Sequence, residues 1–73
     1  MSGKIREYQV SLRGCSQGIY WGATKAEALI GFFRENRYTT EQVWIGADGK
    51  INYASDDIKN ALGDIKDYQI ERA

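Results

Sequence analysis

Apolar and polar positions alternate along residues 5–13, IREYQVSLR, with Tyr8, Val10 and Leu12 on one side and Gln9, Ser11 and Arg13 on the other. A period of two predicts a half-buried strand. GCSQG over 14–18 has turn composition, and the β-rich residues 19–23 are expected to pair back as a hairpin. At Thr24 the period changes. Ala26, Leu29, Ile30 and Phe33 fall at i, i+3, i+4 and i+7, the buried stripe of a helix. Thr24 and Glu27 form a capping box: the Thr side chain takes the amide three residues on, and Glu27 reaches back to the amide of Thr24. Gly31 interrupts the helix at a cost of about 1 kcal/mol against Ala and permits a close approach to the sheet. The helix ends near Asn36-Arg37, where basic residues suit the dipole.

The second half repeats this plan. QVWIG over 42–46 and INY over 51–53 are strand runs separated by a turn. A two-residue Asp48-Gly49 loop pairs Trp44 with Tyr53. A three-residue Ala47-Asp48-Gly49 loop, with Gly49 left-handed, pairs Ile45 with Ile51 and Val43 with Tyr53. The second register collects the apolar residues on one face and is preferred, because a one-residue slip exposes the whole set. It sends Trp44 and Asn52 to the opposite face. Ser55 caps a short helix, with Asp56 and Asp57 in its first turn, a stripe of Ile58, Ala61 and Leu62, and Gly63 as its stop. DYQIERA is a last strand, with Tyr68 and Ile70 inward. The order is β-β-α-β-β-α-β. The expected fold is α+β, a single antiparallel sheet with two helices on one face, in one domain over 1–73.

Tyr20 and Trp21 are adjacent, so a strand sends them to opposite faces. Two arguments disagree on which is which. Hydrophobicity places Ile19, Trp21 and Ala23 inward. Counting back from the helix caps, Thr24 against Ser55, equates Tyr20 with inward Ile51 and Trp21 with outward Asn52. The first is preferred, because burying Ile and Trp together gains more than burying Tyr and Gly. Either way, one large aromatic joins Trp44 on the helix-free face.

Composition narrows the class. A chain of 73 residues buries roughly 60% of its unfolded surface, so the core is small. One cysteine and no histidine leave no disulfide framework, and the simplest home is reducing and intracellular, hence cytoplasmic. MSGKIREYQV has no apolar run resembling a signal peptide, and no 18-residue apolar stretch suggests a membrane span. Ten basic and ten acidic residues cancel. That balance argues against a duplex-DNA binder and against an acidic DNA mimic.

YQVSL, a turn, then WGATKAEAL resembles the opening of the small DpnD/PcfM-like proteins of phages and mobile elements. Ala23-Thr24 and Glu27-Ala28 match that family's helix start. The resemblance covers about 25 residues. It implies an accessory protein of a mobile element and carries no chemistry with it.

Catalytic patterns find little support. Gly14-Cys15-Ser16-Gln17-Gly18 matches the nucleophile elbow G-x-S-x-G, but the context is a hairpin and no histidine base exists. Cys15 has no activating partner in the sequence. Asp56 and Asp57 are explained as first-turn helix residues, and Arg34 to Arg37 as a solvated helix end. No cofactor or metal is expected. The aromatics remain. Seven of nine are Tyr or Trp, the types enriched in binding hot spots. The expected function is therefore a non-enzymatic protein-binding module, an accessory or inhibitor protein. It binds through the open sheet face, with Trp44 and Tyr20 (or Trp21) as anchors and Arg13 and Asn52 as polar contacts, or through an edge strand as a homodimer. The alternative is a single-stranded nucleic-acid platform, which zero net charge disfavours.

Overall fold

The computed structural model describes residues 4–73. The absence of a signal peptide was argued partly on residues 1–3, which lie outside the described residues. The order is β1 (Arg6–Leu12), β2 (Cys15–Gly22), α1 (Lys25–Glu35), β3 (Val43–Ile45), β4 (Ile51–Tyr53), α2 (Asp56–Leu62), a 3-10 turn (Ile65–Asp67) and β5 (Tyr68–Arg72). The α+β class and the antiparallel sheet are both present. Three strands form that sheet in the order β2-β1-β5, and the β3–β4 hairpin forms a second, two-stranded ladder beside it. No helix among the described residues is long and apolar enough to cross a membrane.

One core joins all of these elements. It comprises Tyr8 and Val10 of β1, Ala28, Leu29 and Phe33 of α1, Val43 of β3, Leu62 of α2, and Tyr68 and Ile70 of β5. Phe33, Leu29, Val10 and Val43 are fully enclosed. Phe32, Phe33 and Tyr68 meet at ring separations of 5.9–6.0 Å, in tilted to edge-on arrangements that aromatic quadrupoles favour. Among the described residues no buried side-chain polar atom lacks a partner.

Both helices start as read. Thr24 Oγ1 accepts the Glu27 amide at 3.2 Å, and Ser55 Oγ accepts the Ile58 amide at 3.3 Å. The Glu27 carboxylate, however, accepts the amide of Ala23 rather than that of Thr24. The buried positions of α1 are Ala28, Leu29 and Phe33, with Ala26 and Ile30 half-buried, and in α2 Ala61 is exposed. Leu62 is the buried residue of α2, and Ile58 packs half-buried against the same core. At the end of α1, Glu35, Asn36 and Arg37 are exposed as expected, but Arg34 is half-buried. The Arg34 guanidinium donates to the carbonyls of Tyr38 and Val43, at 3.2 and 2.7 Å, and so ties the following loop and β3 to the helix. Arg37 takes a left-handed φ of +72°. Amides of Arg37 and Tyr38 then donate to Arg34 and Phe33, the paired bonds of a Schellman ending.

The β3–β4 hairpin has the preferred register, Val43↔Tyr53, Trp44↔Asn52 and Ile45↔Ile51, with Gly49 at φ +81°. The β1–β2 hairpin corrects the sequence reading. Its turn is the two residues Arg13 and Gly14, at φ +52° and +81°, and β2 already begins at Cys15. One residue, Gln17, is then left unpaired, since Ser11 faces Ser16 while Val10 faces Gly18. This bulge reverses the alternation beyond it. Tyr20 therefore faces Tyr8 on the core side, and Ile19 and Trp21 face outward. The preference for Trp21 inward and Tyr20 outward is overturned. Counting back from the helix cap had the right answer, because no bulge lies between Tyr20 and Thr24.

Candidate binding surface

Four of the five residues singled out from the sequence occupy exposed or outward positions, but not one common ladder. Trp44 and Asn52 face each other across β3–β4, on the side away from the core. Trp44 is 38% exposed. Arg13 sits in the β1–β2 turn, exposed. Trp21 lies on the outward face of the three-stranded sheet and is 61% exposed. Tyr20 is withdrawn. Its ring meets Phe32 edge-on at 5.6 Å, and its hydroxyl donates to the Gln17 carbonyl at 3.2 Å. Burial, with the Glu35 carboxylate alongside, raises its phenol above the ordinary range. Tyr20 is thus a clamp on the bulge, on the side of the sheet opposite Ile19 and Trp21.

Ile19 is the residue sequence reasoning missed. It was assigned to the core and is 50% exposed, two residues from Trp21 on the same face of an edge strand. The signal for it is the count back from the Thr24 cap, which puts Ile19 and Trp21 on the side opposite Tyr20. The Gln9 side-chain amide donates to Ser16 Oγ and, at 3.3 Å, to the Gly18 carbonyl, bracketing the unpaired Gln17.

Register defines the neighbours of this pair. Trp21 faces Glu7, and Ile19 faces Gln9, which in turn faces Glu71 of β5. Ser16, Ser11 and Gln69 complete the next row. The outward rows therefore hold two apolar side chains, two carboxylates and neutral polar groups.

No protein-family model matches this chain, and no curated protein or solved structure matches it either.

Elsewhere, the G-x-S-x-G segment is spread over the turn and the first half of β2, with Ser16 paired to Ser11. Cys15 is exposed. Among the described residues no group of three or more His, Cys, Asp or Glu side chains is placed to hold a metal. An open groove of about 770 Å³ runs between β4 and α2, lined by Ile51, Tyr53, Ser55, Asp56, Lys59 and Ile65 among others. The Tyr53 hydroxyl is turned to the Gly63 carbonyl at 2.8 Å. Burial first, and the carboxylates of Asp64 and Asp67 after it, push its phenol up to about 12. Tyr68 is raised too, again by burial and then by Asp67. These phenols are structural: each hydroxyl donates to a carbonyl in the segment that ends α2.

Proposed function

We propose that this chain is a non-enzymatic protein-binding module whose binding element is the outward side of edge strand β2. One observation carries the reading. Ile19 and Trp21 stand at 50% and 61% exposure, side by side on one face, while the core of the same small domain is otherwise well enclosed. Large apolar side chains grouped on a surface mark interaction sites, and Trp is the side chain most often found at their energetic centre. Trp44 and Asn52 form a second, more sheltered outward pair on the other ladder. The resemblance of residues 8–29 to DpnD/PcfM-like proteins is consistent with an accessory protein and adds no mechanism.

Protein is favoured over nucleic acid by the residues around the patch. Glu7 faces Trp21, and Glu71 lies in the row of Ile19. A base stacked on Trp21 would bring its phosphates toward these carboxylates, where neutralising cations are needed.

Affinity capture from the source cells tests the reading, with wild-type bait beside Trp21→Ser bait. The expected outcome is a partner whose recovery falls by about tenfold or more with Trp21→Ser, the scale of a central hot-spot residue. Equal recovery by the two baits overturns the reading. So does a salt-sensitive shift of the Trp21 indole NMR signal on adding single-stranded oligonucleotides, which would make the surface a nucleic-acid platform.

A further inference from the structure

The two edges of the main sheet differ in chemistry. Edge β5, YQIER, carries Glu71 and Arg72, and charges of this kind discourage another strand from adding. Edge β2, CSQGIYWG, has eight residues with no charge and no proline. The bulge at Gln17 interrupts it, Gly18 keeps a positive φ of +122°, and residues 19–22 run regular, with Gly22 packed against the start of α1.

The backbone of that regular stretch is open to pairing. The Ala73 amide donates to the Glu7 carbonyl at 3.0 Å, so the hydrogen-bonding groups of Glu7 point toward β5 and away from β2. Glu7↔Trp21 is therefore a non-hydrogen-bonded pair. In an antiparallel ladder these alternate with bonded pairs, so Gln9↔Ile19 is non-bonded as well. The N–H and C=O groups of Ile19 and Trp21 accordingly point outward, to the free edge.

Residues 18–22 read Gly-Ile-Tyr-Trp-Gly, which is symmetric in kind about Tyr20. We infer that the partner of this edge is a second copy of the chain, with β2 pairing antiparallel to β2 of the other copy about a two-fold axis at Tyr20. The inference rests on the reading of β2 as the binding strand. In this register Ile19 faces Trp21 of the other copy, and Gly18 faces Gly22. The four groups aimed at the free edge, the N–H and C=O of Ile19 and Trp21, meet the same four groups. Each outward Ile then covers a Trp across the strands, a favourable aliphatic–aromatic pair, and the six strands form one sheet. No like charges face each other along the seam, because β2 has none. A face-to-face contact would instead oppose the Glu7 and Glu71 carboxylates of both copies.

Sedimentation equilibrium of the full chain up to about 1 mM, the scale of a weak association, tests this with reductant present to exclude a Cys15 disulfide. The wild-type mass is expected to rise from 8.3 kDa toward twice that value. Ile19→Lys with Trp21→Lys should stay at the monomer mass, with an unchanged amide spectrum because both positions are exposed. Ile19→Asp with Trp21→Lys places opposite charges across the same seam and should dimerise about tenfold more tightly than the Lys pair. A wild-type chain that remains at 8.3 kDa overturns the inference, as does an Asp/Lys pair no better than the Lys pair. If the chain stays monomeric while capture of another protein still depends on Trp21, this inference fails and the proposed function stands. If Trp21→Ser changes nothing in either assay, both fail.

Discussion

The β3–β4 and β1–β2 hairpins start from the same kind of information and treat it differently. In β3–β4 a three-residue loop with left-handed Gly49 sets a regular register, and Val43, Ile45, Ile51 and Tyr53 all turn to one side. In β1–β2 the turn is shorter, and the strand absorbs one extra residue at Gln17. A single unpaired residue then exchanges the two faces for the rest of β2. Ile19 and Trp21, apolar enough for the core, are delivered to the surface. Tyr20 goes in beside Gly31 of α1, where even an added Cβ would lie an ordinary 3.7 Å from its ring. The contrast teaches that a hairpin's hydrophobic pattern can be trusted only as far as the first bulge.

Deleting one residue from each hairpin tests this contrast most severely. Removal of Asn52 from β4 leaves no register in which Ile51 and Tyr53 both face the core, and should cost at least about 2 kcal/mol, one large side chain's burial. Removal of Gln17 takes out the residue that the ladder leaves unpaired, together with the carbonyl that accepts the Tyr20 hydroxyl, and should cost about 1 kcal/mol, less than the Asn52 deletion, with the Trp21 indole still solvent-exposed. Urea midpoints and tryptophan fluorescence read both. Equal losses would mean that the bulge is not what sets the faces of β2.

A methyl group at the end of β2 should come next in size. A Cβ on Gly22 would lie 2.6 Å from the Ala28 amide nitrogen and 2.7 Å from Glu27 Cβ, against the backbone of α1. Gly22→Ala should therefore destabilise by about 1–3 kcal/mol, measured by thermal unfolding. No loss would show that β2 and α1 separate freely at that end.

The two turns sharpen the comparison at smaller scale. Gly49→Ala forces a side chain into the left-handed region and should cost about 1–2 kcal/mol. Arg13 already pays a similar strain at φ +52°, so Arg13→Asn, which creates the Asn-Gly pair suited to such turns, should gain about 0.5 kcal/mol. Chemical denaturation distinguishes the signs; a loss with Arg13→Asn would mean that the Arg13 side chain supports the turn.

The last test has no effect at neutral pH. Tyr53 on β4 has its phenol pushed up to about 12 from an ordinary 10.0, and Tyr20 on β2 is raised in the same direction. A phenol raised by folding stabilises fully below its unfolded value and loses that contribution as pH climbs through its folded one. Stability should thus be flat from pH 7 to 9 with respect to these groups and fall between about 10 and 12. Tyr53→Phe should flatten part of that fall, at the cost of its bond to Gly63. An unchanged slope would place the alkaline sensitivity elsewhere.

Local pattern alone is enough for the α+β class, both helix N-caps, the β3–β4 register and the inward positions of β1 and β5. Each follows from interactions within a few residues: a hydroxyl beside an orphan amide, a glycine where φ is positive, or an alternation with one apolar side. It also placed Trp44 and Asn52 on the outward side of their ladder. Long-range packing set the division into two ladders, the anchoring of Arg34 to Val43, and the bulge at Gln17 that brings Ile19 and Trp21 outward. These depend on residues distant in the chain. The bulge is held by Gln9 from the neighbouring strand, and Tyr20 is held inward by its edge-on contact with Phe32 of α1. Local hydrophobicity prefers burying Trp and Ile. The packed domain has a place for Tyr20 instead, and that preference of the whole core outweighs the preference of the strand.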